Sequence, residues 1–187
     1  MSTPAPASTP GTGKSHHLRL HLGGEEVMTG WSIVNIQPGP GVDYVGSVTD
    51  LSAFGDETVS EIYASHVYEH LDYRGEIQRA FKEAHRVLTK QGVLRIAVPD
   101  LVVVCALFAH PQTTTQERME LMQVIYGGQK DAFDYHKVGY SFDLLCSFLR
   151  EAGFRQGQRV ADFNIFDDTS RITFAGKPFS LNVNVIK

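Results

Sequence analysis

Residues 18–36 read LRLHLGGEEVMTGWSIVNI, and this stretch decides the fold. Apolar residues dominate Leu18–Leu22 and Trp31–Ile36, which predicts two short buried strands. Gly23-Gly24 ends the first strand, because glycine adopts the backbone conformations that a tight turn requires. Only about eight residues separate the two strands, whereas a crossover that carries a full helix needs about 10–12. The sequence therefore predicts neighbouring strands whose usual covering helix is reduced or absent.

From Leu18 onward, short apolar runs alternate with segments of helical periodicity, a pattern typical of an α/β protein. Gly92 and Gly153 follow two of the helical segments and mark their ends. The predicted strands are Leu18–Leu22, Trp31–Ile36, Asp43–Val48, Val59–Ala64 and Val93–Val98, and the predicted helices are Glu76–Thr89, Leu101–Ala109, Thr115–Tyr126 and Ser141–Ala152. We expect Ile172–Ala175 and Leu181–Ile186 to pair as antiparallel strands at the end of the fold.

The composition favours one ordinary globular domain. The chain of 187 residues carries 17 Lys and Arg against 21 Asp and Glu, so it lacks the positive charge of a nucleic-acid binder. Its two cysteines lie singly in apolar runs, which argues against a disulfide framework or a structural zinc site. Residues 1–17 are rich in Pro, Ser and Thr and are predicted to be a disordered tail before a single domain at 18–187. No apolar run is long enough to cross a bilayer, so we expect a cytoplasmic protein without membrane contact.

Five motifs, in their order along the chain, resemble class I S-adenosylmethionine-dependent methyltransferases, specifically a small predicted bacterial group. The motifs are Leu20–Gly24, Val42–Gly46 leading to Asp50-Leu51, Ile62–Leu71, Lys82–Gly92 and Val98–Leu101. The resemblance implies a Rossmann-like α/β fold of three layers around a mixed seven-stranded sheet, with the last strand antiparallel and the early covering helices reduced or absent. It also implies that S-adenosylmethionine binds at the carboxyl ends of the first strands.

The resemblance assigns several positions to this cofactor. Gly23 and Gly24 would let the nucleoside and the methionine arm approach the backbone closely. Asp50 and the backbone of Leu51 would lie near the adenine. The residues alone leave two alternatives open, an ordinary tight turn at the glycines and a turn cap at Asp50.

Two residues depart from the family pattern in this region. Asn35 stands where such folds carry a carboxylate for the ribose hydroxyls, and the lost charge should weaken cofactor binding several-fold to about tenfold. Glu25 replaces the third glycine of the turn. Glu25 or Glu26 could pair with the ammonium group of the methionine arm, although exposed acidic residues in a loop are usually solvated.

Ser65 and His66 end the fourth predicted strand, where the family places the sulfonium. Residues 66–70 also spell H-x-x-E-H, the zinc motif of inverted zincins. Those peptidases carry the motif on a long helix, whereas here a predicted strand runs directly into it, so we expect no metal site. In the methyltransferase interpretation, His66 or His70 could act as a general base, because imidazole titrates near neutrality. Alternatively, Glu69 and His70 only hold the start of the next helix.

The loop that follows the third predicted helix concentrates aromatic, amide and imidazole groups between glycines. Tyr135 and His136 are the candidates for substrate contact, and His136 is a further candidate for proton transfer. Either residue could equally be a loop anchor packed on the core.

The sequence therefore predicts a methyltransferase that acts on an oxygen or nitrogen of a small molecule or glycan. The alternative is an inactive pseudo-methyltransferase that serves as a binding or scaffold protein, because Asn35 and the shortened glycine turn weaken the cofactor site. The missing helices would leave a sheet face with Leu20, Leu22, Val34 and Ile36 uncovered, so a homodimer through that face is also expected.

Overall fold

Seven strands form one mixed sheet in the computed structural model, which describes residues 18–155 and 157–187. The predicted disordered tail at 1–17 lies outside the described residues. The strands of this sheet are β1 (Leu18–Leu22), β2 (Ser32–Asn35), β3 (Tyr44–Val45), β4 (Val59–Ser65), β5 (Leu88–Pro99), β6 (Gln158–Arg159) and β9 (Ser180–Ile186). Two further short strands, β7 (Thr173–Phe174) and β8 (Lys177–Pro178), lie outside it. The α-helices are α1 (Glu76–Val87), α2 (Leu101–Ala109), α3 (Thr115–Tyr126) and α4 (Phe142–Glu151), and single 3-10 turns lie at Tyr68–His70 and Thr169–Arg171.

The order across the sheet is β3-β2-β1-β4-β5-β9-β6. Every pair from β3 to β5 is parallel, whereas β9 runs antiparallel to both β5 and β6. This arrangement confirms the predicted α/β fold with a mixed seven-stranded sheet and an antiparallel last strand. Among the described helices, none has the length and apolar character needed to cross a bilayer.

Strand register brings the ends of the parallel strands to one edge of the sheet. Leu22 of β1 pairs with Val34 of β2 and with Ala64 of β4, and Ser65 pairs with Ala97 of β5. The residues that follow these pairs therefore lie side by side at the edge. We call this the carboxyl edge, and it is where open α/β sheets bind their ligands.

Each face of the sheet has its own apolar cover. On one face, Leu20, Leu22 and Val34 pack in a core that includes residues of α1 and α4. On the other face, a second cluster joins Trp31 and Tyr63 to Phe163, Phe166 and Ala97. The Tyr63 hydroxyl donates a 2.8 Å hydrogen bond to Asp168, which ties the segment after β6 across this face.

The prediction of an uncovered sheet face is wrong. Leu20, Leu22 and Val34 are almost completely buried within this chain, and Ile36 alone of the four is exposed. The early crossover helices are indeed absent, as predicted, but the helix α1 and the loop that follows β3 cover the strands instead. The expected homodimer stays a prediction, now without this reason for it.

A guanidinium group holds that covering loop in place. Arg86 of α1 donates to the carbonyl oxygens of Leu51 and Phe54 and to the carboxylates of Glu83 and Asp56, at 2.7–3.0 Å. Glu83 in turn accepts a hydrogen bond from the Leu51 amide at 2.9 Å. The carboxylates raise the pKa of Arg86, so the group stays charged. The buried side chains of Leu51 and Phe54 then complete the core where a crossover helix would otherwise lie.

The prediction for the end of the chain is wrong in its pairing. The segment Ile172–Ala175 does not pair with Leu181–Ile186, because β7 pairs with the short strand β8 in a separate ribbon. The strand β9 pairs with β5 and β6 instead. The short strand β6 consists of polar residues, so the sequence shows no apolar periodicity that would predict it.

The buried imidazole of His21 should make stability depend on pH. Burial lowers the pKa of His21 to about 4, and the nearby Asp168 carboxylate opposes this only in part. Between pH 6.5 and 4 the unfolded chain therefore binds a proton that the folded chain does not. We expect about 3 kcal/mol of the free energy of unfolding to be present above pH 6.5 and to be lost as the pH falls to 4. Urea unfolding at several pH values, followed by circular dichroism, measures this change.

The variant His21→Phe keeps an aromatic ring between Tyr63 and Phe166 and removes the titrating group. Its stability should vary less over the same pH range than that of the wild type. The exposed His110→Gln is the matched control and should follow the wild type. Equal pH slopes in all three proteins would contradict the assignment to His21.

Removal of the Arg86 guanidinium should destabilise the fold. Arg86→Ala leaves Glu83 and two backbone carbonyl groups without their donor, and we expect the free energy of unfolding to fall by about 2 kcal/mol. Arg86→Lys should recover only part of this, because an ammonium group lacks the planar fork of donors. Arg79→Ala, at an exposed position of the same helix, should change stability by less than about 0.5 kcal/mol. If denaturant unfolding shows equal losses of stability for Arg86→Ala and Arg79→Ala, the role of Arg86 in holding the loop after β3 would be refuted.

Candidate active site

The glycine turn stands at the carboxyl edge directly after β1. Gly23 has a left-handed φ of 69°, and its amide donates to the Val34 carbonyl at 2.8 Å. A Cβ atom at Gly23 would lie 2.5 Å from Cγ2 of Val67, and one at Gly24 would lie 2.3 Å from Nδ1 of His21. Both positions therefore need glycine for the close packing of the turn against its neighbours, and Gly23 needs it also for its backbone conformation.

The Asn35 amide joins this turn to the end of β2. Its Nδ2 donates to the Gly24 carbonyl at 3.2 Å, and its Oδ1 accepts a hydrogen bond from the Gln37 amide at 3.0 Å. A carboxylate could not make the first of these bonds, since it lacks a donor. Glu25 is exposed beside the turn.

Asp50 and Leu51 lie after β3 and are engaged within the chain. The Asp50 carboxylate is exposed and accepts a hydrogen bond from the Ser52 amide at 3.0 Å; bonds from Ser52 lower its pKa. The Leu51 amide donates to Glu83, as described above. The turn-cap alternative thus describes the Asp50 geometry, and the Leu51 amide has its partner in α1.

Ser65 and His66 lie at the end of β4, next to the glycine turn. The Ser65 hydroxyl lies 3.1 Å from that of Thr169. His66 has a left-handed φ of 55°, and its amide donates to the Ala97 carbonyl at 2.8 Å. Its imidazole lies between two groups, with Nε2 at 2.9 Å from the Ser180 hydroxyl and Nδ1 at 3.1 Å from Oε1 of Glu69.

Glu69 is a buried carboxylate among three imidazoles. Its exposed fraction is 1%, and neither oxygen accepts a hydrogen bond of good geometry from the described residues. Burial raises the pKa of this carboxyl, but His66, His136 and His70 outweigh that effect and hold the pKa below its usual value. Glu69 is therefore ionised at neutral pH.

Two of these imidazoles come from different parts of the chain and meet edge to face. The rings of His70 and His136 lie 4.8 Å apart. Nδ1 of His70 donates to the Tyr135 carbonyl at 3.2 Å, and Nδ1 of His136 donates to the Val124 carbonyl at 2.9 Å. A carbonyl oxygen only accepts, so each Nδ1 carries the hydrogen and each neutral ring keeps a lone pair on Nε2. Burial lowers the pKa of His136, although Glu69 opposes this.

The structure thus brings the predicted residues together in two groups. Gly23, Gly24 and Asn35 form the glycine turn, and the three candidate catalytic histidines surround Glu69. Tyr135 adjoins the second group through its carbonyl, while its side chain is about half exposed. Asp50 and Leu51 belong instead to the Arg86 network.

Two residues of the site were missed as candidates. Glu69 stands inside the H-x-x-E-H motif, so its position was visible, but a helical context was required for zinc peptidase chemistry. In the structure, the motif directly follows β4, and its last three residues form a single 3-10 turn. Ser180 gives no signal in the sequence, because β9 brings it to His66 from far along the chain.

A family model described as a methyltransferase domain matches residues 29–96. The match includes β2, β3, β4 and α1, and therefore Asn35, Glu69 and the two histidines of the H-x-x-E-H motif. No curated protein matches the chain.

Solved structures share the fold at low sequence identity. A SAM-dependent methyltransferase from Archaeoglobus fulgidus has a TM-score of 0.57 at 14% identity and covers 91% of this chain and 86% of its own. A SAM-dependent methyltransferase from Thermotoga maritima, described as a possible histamine N-methyltransferase, has a TM-score of 0.53 at 19% identity, with coverage of 91% and 82%. The trans-methyltransferase CalH in complex with SAH has a TM-score of 0.51 at 14% identity, with coverage of 92% and 51%.

The strand order, the glycine turn at the carboxyl edge and the domain match agree with one another. The chain therefore has the fold of class I methyltransferases, and its residues 29–96 match a methyltransferase domain model.

Proposed function

We propose that this protein transfers the methyl group of S-adenosylmethionine to an oxygen or nitrogen of a small molecule or glycan. The observation that carries the proposal is the proximity of the glycine turn to the histidine cluster. Val67 packs directly on Gly23, and the nearby residues His66 and Glu69 belong to the cluster. A cofactor that lies against the turn would then have imidazole groups beside it.

The residues of the turn fit this cofactor. Gly23 is exposed and has no side chain, so a ligand can lie against its backbone. The exposed carboxylates of Glu25 and Glu26 follow at once and suit the ammonium group of the methionine arm. Asn35 keeps a second lone pair on Oδ1 for a ribose hydroxyl. When bound, S-adenosylmethionine supplies an electrophilic methyl group on a positively charged sulfur.

The acceptor would lie on the other side of the cluster. His70 and His136 each present an Nε2 lone pair, which can take a proton from a hydroxyl or amine or hold an ion that polarises it. Three aromatic side chains at the end of α3 and in the adjoining loop are about half exposed, namely Tyr126, Phe133 and Tyr135. Such rings line the sites of small organic ligands, which favours a small molecule or a sugar over a highly charged polymer.

The cofactor assignment predicts micromolar binding of S-adenosylmethionine to the full-length chain. Asn35→Ala should weaken binding several-fold to about tenfold, because it removes one neutral partner of the ribose and one bond that holds the turn. Gly23→Leu should abolish binding, because its side chain would run into Val67. Isothermal titration calorimetry with S-adenosylmethionine and S-adenosylhomocysteine measures these affinities.

Gln116→Ala, at an exposed position of α3, is the control and should bind like the wild type. Circular dichroism establishes that each variant is folded. A folded wild type that binds neither ligand at millimolar concentration would overturn the enzyme proposal and leave the scaffold alternative.

The acceptor assignment predicts a separate role for the exposed ring of Tyr135. Transfer of a radiolabelled methyl group to a panel of alcohols, amines and oligosaccharides identifies an acceptor. With that acceptor, Tyr135→Ala should raise KM at least several-fold and leave cofactor affinity unchanged, because the ring contacts only the acceptor. Tyr73→Ala removes another exposed tyrosine and should change neither quantity. An unchanged KM in Tyr135→Ala would refute this contact.

A further inference from the structure

We propose that Glu69, His70 and His136 bind a divalent first-row transition-metal ion, with zinc as the best match. One carboxylate oxygen and one nitrogen from each imidazole lie within 4.8 Å of one another. Two imidazoles and one carboxylate form a donor set that zinc and its neighbours in the first row accept readily. The binding itself does not depend on the methyltransferase activity.

The state of Glu69 is the first argument for an ion. The carboxyl group is 1% exposed, and neither of its oxygens accepts a hydrogen bond of good geometry from the described residues. A buried charge is normally paired or bound to a metal. The Nδ1 atom of His66 lies 3.1 Å from Oε1 of Glu69.

The tautomers of the two histidines are the second argument. Histidine ligands of metals usually donate their other ring N–H to a carbonyl or carboxylate, which fixes the ring and exposes the ligating nitrogen. His70 and His136 have this arrangement through the carbonyls of Tyr135 and Val124. Both rings therefore present Nε2 as a free lone pair in their neutral form.

The backbone around these ligands is the third argument, because it holds them in place before any ion binds. The Lys137 amide donates to the Glu69 carbonyl at 2.8 Å, and the His136 amide donates to the Tyr126 carbonyl at 3.1 Å. Gly127 packs so closely on this loop that a Cβ atom would lie 2.2 Å from the Asp134 carbonyl oxygen. The loop that carries His136 is thus fixed to both α3 and the turn after β4.

Three protein ligands leave coordination positions open on the ion. A catalytic zinc site typically has such an open position, whereas a structural site fills all four with protein groups. If the proposed function holds, an acceptor hydroxyl would occupy that position and lose its proton more readily to solvent.

The experiment uses the full chain after treatment with a chelator and dialysis. Titration with Zn²⁺ should give one ion per chain with micromolar or tighter affinity, and Co²⁺ should give visible absorption bands of a site with nitrogen and oxygen ligands. Glu69→Gln and His136→Gln should each weaken Zn²⁺ binding at least tenfold. His110→Gln, an exposed histidine outside the cluster, is the matched control and should bind like the wild type.

Thermal unfolding keeps the test valid if a variant folds poorly. Zn²⁺ should raise the Tm of the wild type and of His110→Gln, because an ion that binds only the folded chain stabilises it. It should not raise the Tm of Glu69→Gln. That variant should fold at least as well as the wild type without metal, since it removes a buried charge.

Two results would overturn the proposal. One is a folded wild type that binds no Zn²⁺ at 100 μM, which is about a hundred times the largest dissociation constant expected. The other is equal binding in the wild type, Glu69→Gln and His136→Gln, which would assign the ion to other groups such as the His16-His17 pair. Binding of S-adenosylmethionine to the metal-free protein is measured in parallel. A failure of the methyltransferase proposal is thereby distinguished from a failure of the metal site.

Discussion

The pairing of β1 with β2 on one side and β4 on the other determines where the glycine turn and the histidine motif of this protein lie. These strands are parallel, and their register places the residues after Leu22, Val34 and Ala64 at the same level. A slip of one residue in β4 would turn its alternate side chains to the opposite face. The glycine turn would then lose its contact with Val67, and the histidine motif would leave the edge. Parallel pairing thus links the two halves of the site more directly than any contact between their side chains.

The fold keeps this sheet buried with fewer helices than the parallel arrangement usually has. Parallel sheets occur with both faces covered, because their strands are apolar on both sides. Here one face is covered by helices and the loop that Arg86 holds, and the other by the aromatic cluster around Tyr63. An ionic network and a segment from the end of the chain therefore replace two crossover helices. This replacement explains how about 30 residues from Leu18 to Val48 can form three neighbouring strands.

The sequence predicts local elements of this protein well and its long-range partners poorly. The bounds of α2 and α3 are predicted correctly because their ends carry strong signals, such as Asp100 at the start of α2 and the Thr114–Glu117 capping box of α3. The pairing of β9 with β5 has no such signal, since any apolar alternating strand could take that place. The same limit applies to the site. The H-x-x-E-H motif is visible in the sequence, but His136 meets it only through the path of the loop after α3.

The contact of His66 with Ser180 also sets an order for the assembly of the molecule. The two residues are 114 positions apart, and Tyr63 reaches Asp168 over 105 positions. Contacts of such sequence separation form late in folding, because the entropy of closing a long loop must be paid before they stabilise the chain. While the chain is being synthesised, β5 emerges long before β9 and has an unpaired edge until then. The nascent protein thus exposes a strand edge prone to aggregation until β9 has left the ribosome.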